Sequence, residues 1–180
     1  MALVGLLLAQ PVLAQQPTPP LPRAPFVVTP TDVVVRMLEL AGVRRGDVVY
    51  DLGCGDGRIV IEAARRWGVR GVGIDIDPAR IAEAEIKARE AGVERLVTFR
   101  IQDALQADVS DATVVTLYLL SSLNVSLRPR LTRQLKRGSR IVSHSFAMGD
   151  WEPDVVDSFV DAAGTAQTLY LWTTDGRVRP

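Results

Sequence analysis

The sequence of 180 residues is poor in the side chains that build covalent or metal crosslinks. It contains one cysteine, Cys54, and one histidine, His144. A single cysteine excludes an intramolecular disulfide, and the two residues together cannot supply the four ligands of a structural zinc site. We therefore expect no metal centre, and the cysteine content leaves the redox compartment open.

The sequence also lacks an excess of charge of either sign. Lysine and arginine number 21, as do aspartate and glutamate, so the formal net charge is zero. A neutral chain is not drawn as a whole to nucleic acid or to anionic membranes, and we expect no nucleic-acid partner. The hydrophobic fraction of 47% and the length of 180 residues indicate one globular domain.

No lysine or arginine precedes the apolar run at residues 1–14, although this run resembles a secretory signal that ends in Val12-Leu13-Ala14. At about 1.5 Å per residue it is too short to span a bilayer of about 30 Å as a helix. Residues 15–25 contain five prolines, which favour an extended linker. We expect residues 1–25 to be a signal-like segment with a linker, or else a loosely packed tail, and residues 26–180 to form the domain.

Strands and helices alternate along the middle of the sequence. Apolar spacing predicts a helix over 31–41, with Thr31 or Asp32 as N-cap and Gly42 as its stop. Parallel strands need crossover connections, so this alternation predicts a mostly parallel α/β sheet with helices on both faces and a hairpin at the end. The predicted strands are 47–52, 71–76, 97–101, 113–120, 140–146, 155–160 and 166–173, and the other helices begin after Gly57 and span 78–91 and 123–135.

A glycine-rich turn follows the first predicted strand. Residues 51–57 read Asp-Leu-Gly-Cys-Gly-Asp-Gly, with glycines at alternate positions. Glycine allows a ligand to approach the backbone closely, and the N-terminus of the next helix offers amide donors. The turn therefore predicts a nucleotide-like ligand at the carboxyl ends of the strands, although a tight connection alone would also explain it.

Two acidic residues specify the ligand further. Asp75 ends the second predicted strand, where a carboxylate accepts hydrogen bonds from ribose hydroxyls. NAD enzymes share that position, but their Gly-x-Gly-x-x-Gly spacing differs from the spacing here, and Asp51 would repel a pyrophosphate while attracting an ammonium group. These features favour S-adenosylmethionine. Asp103 after the third strand can accept from an adenine amino group, or is a solvated loop residue.

These residues resemble the class I S-adenosylmethionine-dependent methyltransferases, through the turn at 51–57, Asp75 and Asp103. More narrowly, the sequence is similar to the small archaeal broad-specificity protein-lysine methyltransferases and their mitochondrial relatives. The stretches that carry this second resemblance are 26–30, 48–60, 116–120, Asn124 and 142–144.

The resemblance implies a Rossmann-like, seven-stranded methyltransferase sheet and a set of site residues. The implied cofactor contacts are Thr29, Asp51, Gly53, Cys54, Gly55, Asp75, Ile76, Asp103, Ala104 and Tyr118. Tyr118 and Leu119 would form the substrate channel, with Tyr118 as an aromatic wall because relatives also accept phenylalanine there. The implied partners are proteins with exposed lysines, and we expect a monomer. The export-like segment indicates a location outside the cytoplasm, whereas S-adenosylmethionine is made and kept in the cytoplasm. The sequence therefore leaves the localisation open.

Methyl transfer to an amine depends mainly on alignment of the reacting groups. A target lysine must also lose its proton, and an apolar aromatic channel lowers its pKa. Residues 118–121, Tyr-Leu-Leu-Ser, lack the Asn/Asp-Pro-Pro-aromatic motif that grips a nucleobase amino group. The alternatives are a small-molecule N- or O-methyltransferase, a non-catalytic S-adenosylmethionine-binding module and an NAD-dependent reductase, which Asp51 and the glycine spacing disfavour. A lone histidine such as His144 is more often structural than catalytic.

Overall fold

The computed structural model describes residues 27–180, so the predicted signal-like segment and linker at 1–25 lie outside the described residues. The described chain forms one seven-stranded sheet in the order β3-β2-β1-β4-β5-β7-β6. The elements are α1 (Thr31–Leu40), β1 (Val48–Leu52), α2 (Arg58–Trp67), β2 (Arg70–Asp75), α3 (Pro78–Glu90), β3 (Val97–Ile101), β4 (Val114–Leu117), α4 (Ser121–Gln134), β5 (Arg140–His144), β6 (Val155–Val160) and β7 (Ala166–Thr173).

The strand directions match the prediction. Strands β1 to β5 pair in parallel, whereas β7 is antiparallel to both β5 and β6. Every residue of β1 and β4 is buried, as expected for central strands with both faces covered. The prediction of a Rossmann-like, mostly parallel sheet with a C-terminal antiparallel hairpin is confirmed.

Each face of the sheet has its own hydrophobic core. On one face, α1, α2 and α3 pack against side chains such as Val49, Val114 and Val142. On the other face, α4 and the segment that follows β3 pack against Tyr50, Val115 and Ile141. That segment contains only a single 3-10 turn, Ala104–Gln106. Among residues 27–180, no helix is long and apolar enough to cross a membrane, and no group of three or more ligand-type side chains is placed to hold a metal ion.

Two strands end earlier than the sequence pattern predicts. The predicted strand 113–120 pairs with its neighbours only as far as Leu117, and residues 118–120 then cross the carboxyl edge of the sheet to reach α4. The predicted strand 140–146 ends at His144, because Ser145 adopts a positive φ of 62° that turns the chain out of the sheet. Apolar residues continue past Leu117 as far as Leu120, and Phe146 follows two residues after His144, so the pattern alone could not show where pairing stops.

The predicted N-cap of the first helix is wrong. Helix α1 includes Thr31 and Asp32, and Pro30 occupies the cap position without a side-chain hydrogen bond. The Asp32 carboxylate instead accepts a hydrogen bond from the backbone N–H of Ala162, at 2.7 Å. The local sequence predicted that Asp32 could cap the helix, but its side chain instead bonds the turn between β6 and β7.

Candidate functional site

The carboxyl ends of β1, β2 and β4 border a cleft of about 900 Å³, which residues 27–29 border from the other side. Ten of the predicted site residues line this cleft: Thr29, Asp51, Gly53, Cys54, Asp75, Ile76, Asp103, Ala104, Tyr118 and Leu119. Gly55 is not among the lining residues, and its backbone N–H donates to Asp75 at 2.9 Å. The structure therefore brings the predicted residues together, with Gly55 supporting a neighbour.

The glycine turn uses its backbone amides within the fold. The N–H groups of Gly53 and Cys54 both donate to the carbonyl oxygen of Ile74, at 2.8 and 2.9 Å, and that of Gly57 donates to Cys54. These amides are therefore not offered to a pyrophosphate, contrary to the general expectation for such a turn.

Packing also requires two of these glycines. Gly53 and Gly57 have φ values of +81° and +76°, a region that L residues with side chains rarely adopt. A Cβ atom on Gly53 would lie 2.8 Å from Leu119 Cδ2, and one on Gly57 would lie 2.6 Å from the Phe99 ring. Close approach of neighbouring side chains is thus a reason for glycine here, in addition to the ligand approach predicted from sequence.

Asp75 is fixed before any ligand binds. Its Oδ2 accepts from Gly55 N–H and its Oδ1 from Asp77 N–H, both at 2.9 Å. Each carboxylate oxygen has a second lone pair available for another donor. The side chain lines the cleft and is partly exposed, so it can accept from the two hydroxyls of a ribose.

Asp51 is a buried carboxylate in the floor of the cleft, with 3% of its surface exposed. Its Oδ1 accepts from the Thr116 hydroxyl at 2.8 Å, on the neighbouring strand β4. The pKa of Asp51 is raised to about 7, mainly by burial, with the Thr116 bond lowering it and the nearby carboxylates Asp75 and Asp56 raising it. A cationic ligand group beside Asp51 would stabilise its charged form, so the site fits an amino acid ammonium.

A second acidic residue of the turn holds the N-terminal segment in place. Asp56 bonds Arg58 Nε at 2.8 Å and Lys87 Nζ at 2.6 Å. Burial opposes the ionised form of Asp56, but these two cations lower its pKa to about 2. Arg58 Nη1 also donates to the carbonyl oxygen of Thr29 at 2.8 Å, which ties residues 27–29 to the cleft. The sequence reasoning missed Arg58, because nothing in the pattern pairs it with Thr29.

The end of the cleft beside the segment that follows β3 contains both polar and apolar side chains. The Asp103 carboxylate accepts from Leu105 N–H at 2.9 Å and so caps the 3-10 turn. Ile76 keeps 45% of its surface exposed and lines the cleft with Ala104 and Leu105. Apolar side chains beside an exposed carboxylate suit a flat heterocycle with an amino group at its edge.

The opposite end of the cleft is aromatic and aliphatic. The Tyr118 ring contacts the His144 ring, with centroids 4.1 Å apart, and the Phe146 ring, with centroids 6.2 Å apart. Leu119 lines the cleft and packs against Gly53. The predicted wall at Tyr118 therefore includes two further rings that the sequence reasoning did not assign to it. His144 was singled out in the sequence without a role, and Phe146 gave no signal.

The strand order, the glycine turn and the two strand-end carboxylates define a class I S-adenosylmethionine-dependent methyltransferase. The family model for the ANTKMT methyltransferase domain matches residues 51–155, and the chain belongs to this family.

Relatives with assigned activities agree with this membership. The chain is 43% identical over 152 residues to a protein-lysine N-methyltransferase of Saccharolobus islandicus, covering 84% of this chain and 94% of that protein. It is 33% identical over 135 residues to the adenine nucleotide translocase lysine N-methyltransferase of Mus musculus, covering 74% of this chain and 58% of that protein. The chain thus spans little more than half of the mouse relative.

A solved structure is also similar. It is described as an RNA methyltransferase from Salinibacter ruber in complex with S-adenosyl-L-homocysteine. The two chains are 56% identical with a TM-score of 0.79, and the match covers 85% of this chain and 97% of that one.

Proposed function

We propose that this protein transfers methyl groups from S-adenosylmethionine to the ε-amino groups of lysine side chains in proteins. The observation that carries the proposal is the cleft itself, which joins fixed carboxylates at one end to an aromatic wall at the other. Membership of the ANTKMT methyltransferase family and the lysine N-methyltransferase activity of the relatives support the choice of acceptor.

Each part of the cofactor has residues that suit it. Asp75 would hold the ribose, Asp103 with Ile76 and Ala104 would hold the adenine, and Asp51 would hold the ammonium of the methionine end. Gly53 and Cys54 border the cleft between these ends, and Thr29 closes it from the N-terminal side. When bound, S-adenosylmethionine would supply a sulfonium methyl group: the lysine nitrogen would form a bond to the methyl carbon as the sulfur–carbon bond breaks, with S-adenosylhomocysteine as the leaving group and the ammonium proton lost to solvent.

The chain contributes alignment and a dry environment at the acceptor end. Tyr118 and Leu119 surround the approach to the cleft with apolar surface. Because an ammonium group is less stable in apolar surroundings, the pKa of an entering lysine falls and its neutral amine becomes available. Holding that amine in line with the methyl group accounts for most of the acceleration expected of such a site.

An RNA acceptor is the main competing interpretation, since the similar Salinibacter structure carries that description. The balance of 21 basic and 21 acidic residues does not favour a polyanionic partner. Residues 118–121 also lack a motif for gripping a nucleobase. We therefore favour protein and treat RNA, a small molecule and a silent binding module as outcomes of the test.

The test is a methyl-transfer assay with the full chain and radiolabelled S-adenosylmethionine, supplied with mixed proteins and, separately, with total RNA. We expect label in protein that acid hydrolysis releases as methyl-lysine, and none in proteins whose lysines were acetylated beforehand. Asp75→Ala is the inactive control. Label in RNA, or cofactor binding without any labelled macromolecule, would contradict the proposal. A chromatographic mass of one chain would support the expected monomer.

A further inference from the structure

Tyr118 and His144 lie side by side at the carboxyl edge of the sheet. Leu117 of β4 pairs with Ser143 of β5, and Tyr118 and His144 are the next residues of the two segments. The Tyr118 and His144 ring centroids are 4.1 Å apart, with an angle of 33° between the ring planes. His144 is 1% exposed, so it supports Tyr118 from inside the protein.

A hydrogen-bonded chain fixes the tautomer of His144. Its Nε2 lies 2.7 Å from Gln167 Oε1, and Gln167 Nε2 donates to Asp161 Oδ2, also at 2.7 Å. The other oxygen of Asp161 accepts from the backbone N–H groups of Ala163 and Thr165, which hold the carboxylate still. Since the Gln167 amide nitrogen faces Asp161, its oxygen faces His144, and Nε2 must carry the proton.

The second ring nitrogen keeps His144 neutral. Nδ1 is buried and has no hydrogen-bond partner among the described residues. Protonation there would place an unpaired N–H in the interior, which is costly. Burial lowers the pKa of His144, and the Gln167 bond only partly opposes this. Two titratable groups lie near the His144 ring: the Tyr118 phenol contacts it directly, and the Asp161 carboxylate is linked to it through Gln167.

A strained turn fixes the other side of Tyr118. Ser145 has a φ of 62°, and Phe146 N–H donates to the His144 carbonyl across it at 2.8 Å. Such a conformation persists only where the surroundings hold it. Here Ser143 Oγ and Asn124 Nδ2 both donate to the Phe146 carbonyl, at 2.6 and 3.0 Å. Phe146 and His144 are thereby both held against the Tyr118 ring.

Resting on the proposed function, we propose that His144, as the neutral Nε2–H tautomer, is a positioning residue that holds the Tyr118 ring as the wall of the acceptor-lysine channel. His144 acts through Tyr118 and does not touch the reacting atoms. Its effect therefore falls on delivery of the acceptor, while binding of S-adenosylmethionine depends on the carboxylates Asp51 and Asp75, whose hydrogen bonds do not involve His144.

The tautomer can be measured directly, because His144 is the only histidine in the sequence. The full chain, ¹⁵N-labelled and without a histidine tag, should give one imidazole in long-range ¹H–¹⁵N spectra. We expect a protonated Nε2 and an unprotonated Nδ1, and we expect Gln167→Ala to mix the tautomers. A protonated Nδ1, or a doubly protonated ring at neutral pH, would overturn the proposal.

Kinetics test the positioning role. For His144→Ala, we expect kcat/KM for a protein acceptor to fall between about tenfold and a hundredfold, while the Kd of S-adenosylmethionine changes by less than about twofold. His144→Phe should recover most of the loss, because a ring again supports Tyr118. An unchanged Kd of S-adenosylmethionine shows that each variant is folded. If His144→Ala does not fold, Gln167→Ala serves as the second variant, because it removes the bond that holds the His144 ring against Tyr118.

The outcomes separate this inference from the proposed function. An active wild-type enzyme whose His144→Ala variant keeps full kcat/KM refutes the positioning role alone. A parallel loss of cofactor affinity and turnover in both His144 variants also refutes it, since it would indicate a general structural role. A wild-type protein that binds S-adenosylmethionine but methylates no lysine refutes the proposed function and this inference with it.

Discussion

At the cofactor end of the cleft, Asp75 is held by residues from one stretch of the chain, 55–77, whereas at the acceptor end Tyr118 is supported by residues that are far apart in the sequence. Asp75 is held by Gly55 and Asp77, its near neighbours along the chain. Tyr118 is supported by His144, which depends in turn on Gln167. The position of Asp75 is therefore set locally, although the bonds of Asp51 to Thr116 and of Arg58 to Thr29 add long-range contacts at this end. The support of Tyr118 depends on the completed sheet.

This difference separates two kinds of mutational effect. Changes at the cofactor end should reduce affinity for S-adenosylmethionine, whatever the acceptor. Changes at the acceptor end should reduce transfer much more than that affinity, even at Tyr118, which is also among the implied cofactor contacts. This distinction is wrong if a variant at the acceptor end mainly loses affinity for S-adenosylmethionine, or if a variant at the cofactor end loses methyl transfer with its affinity unchanged.

The largest effect is expected for Asp75→Ala. Removing the carboxylate deletes the acceptor for the two ribose hydroxyls, and two hydrogen bonds to a charged group correspond to about a hundredfold in affinity. Isothermal titration with S-adenosylmethionine measures it. Asp108→Ala is the matched control, because Asp108 is an exposed acidic residue that bonds Ser110 outside the cleft. Equal affinities for wild type and Asp75→Ala would remove Asp75 from the cofactor site.

The next effect is expected at Tyr118 and concerns transfer. Tyr118→Ala should lower kcat/KM for a protein acceptor by roughly tenfold to a hundredfold, because the lysine loses the wall that aligns it. Tyr118→Phe keeps the ring and should stay near wild-type activity. Steady-state assays with both variants make the measurement. Strong loss in Tyr118→Phe would instead assign a chemical duty to the hydroxyl.

The third prediction concerns pH and Asp51. Its pKa of about 7 in the free protein means that a cationic ligand must displace a proton at lower pH. Below pH 7 the affinity for S-adenosylmethionine should fall by up to about tenfold per pH unit. Titrations of wild type and Asp51→Asn at several pH values measure this, because the variant shows only the ligand's own ionisation. Parallel pH profiles would contradict the prediction.

The same group affects stability in the opposite sense. The folded protein without ligand retains the Asp51 proton between pH 3.8 and about 7, where the unfolded chain has released it. Its contribution to stability is thus present at low pH and is lost as the pH rises through 7. The free energy of unfolding of Asp51→Asn should therefore exceed that of wild type increasingly from pH 4 to pH 7. Denaturant titrations of both proteins test the sign.

The smallest effect is expected for Arg58→Lys. Lysine can keep the charge beside Asp56 but loses the second branch that reaches the Thr29 carbonyl. Loss of one hydrogen bond to the N-terminal segment should weaken cofactor binding by about fivefold. Arg65→Lys on the same helix is the control, because Arg65 pairs with Glu62 away from the cleft. Equal losses in both variants would show that helix stability, and not the segment, is responsible.

The sequence allowed one end of the cleft to be predicted more fully than the other. Asp75 and the glycine turn were recognisable because each stands at the carboxyl end of a strand, so the parallel topology alone brings them to one edge. The Arg58 bond to Thr29 and the support of Tyr118 by His144 arise from contacts between distant segments. No periodicity or spacing encodes such pairs.

The ends of β4 and β5 illustrate the same limit. Hydrophobic residues continue to Leu120, and another stands at Phe146, but pairing stops at Leu117 and His144. The strained Ser145 that ends β5 is neither glycine nor asparagine, so its conformation could not be anticipated from residue type. It is imposed by bonds from Ser143 and Asn124 to the Phe146 carbonyl.

The two backbone bonds to Asp75 have a thermodynamic consequence. Both carboxylate oxygens are held by Gly55 and Asp77 in the protein without ligand, so the side chain has little rotational freedom left to lose when a ribose arrives. The entropy cost of ordering the Asp75 carboxylate therefore arises during folding and not during ligand binding. A substitution that loosens the start of α3 should then be detected first as a less favourable binding entropy, before any change in the enthalpy of the ribose contacts.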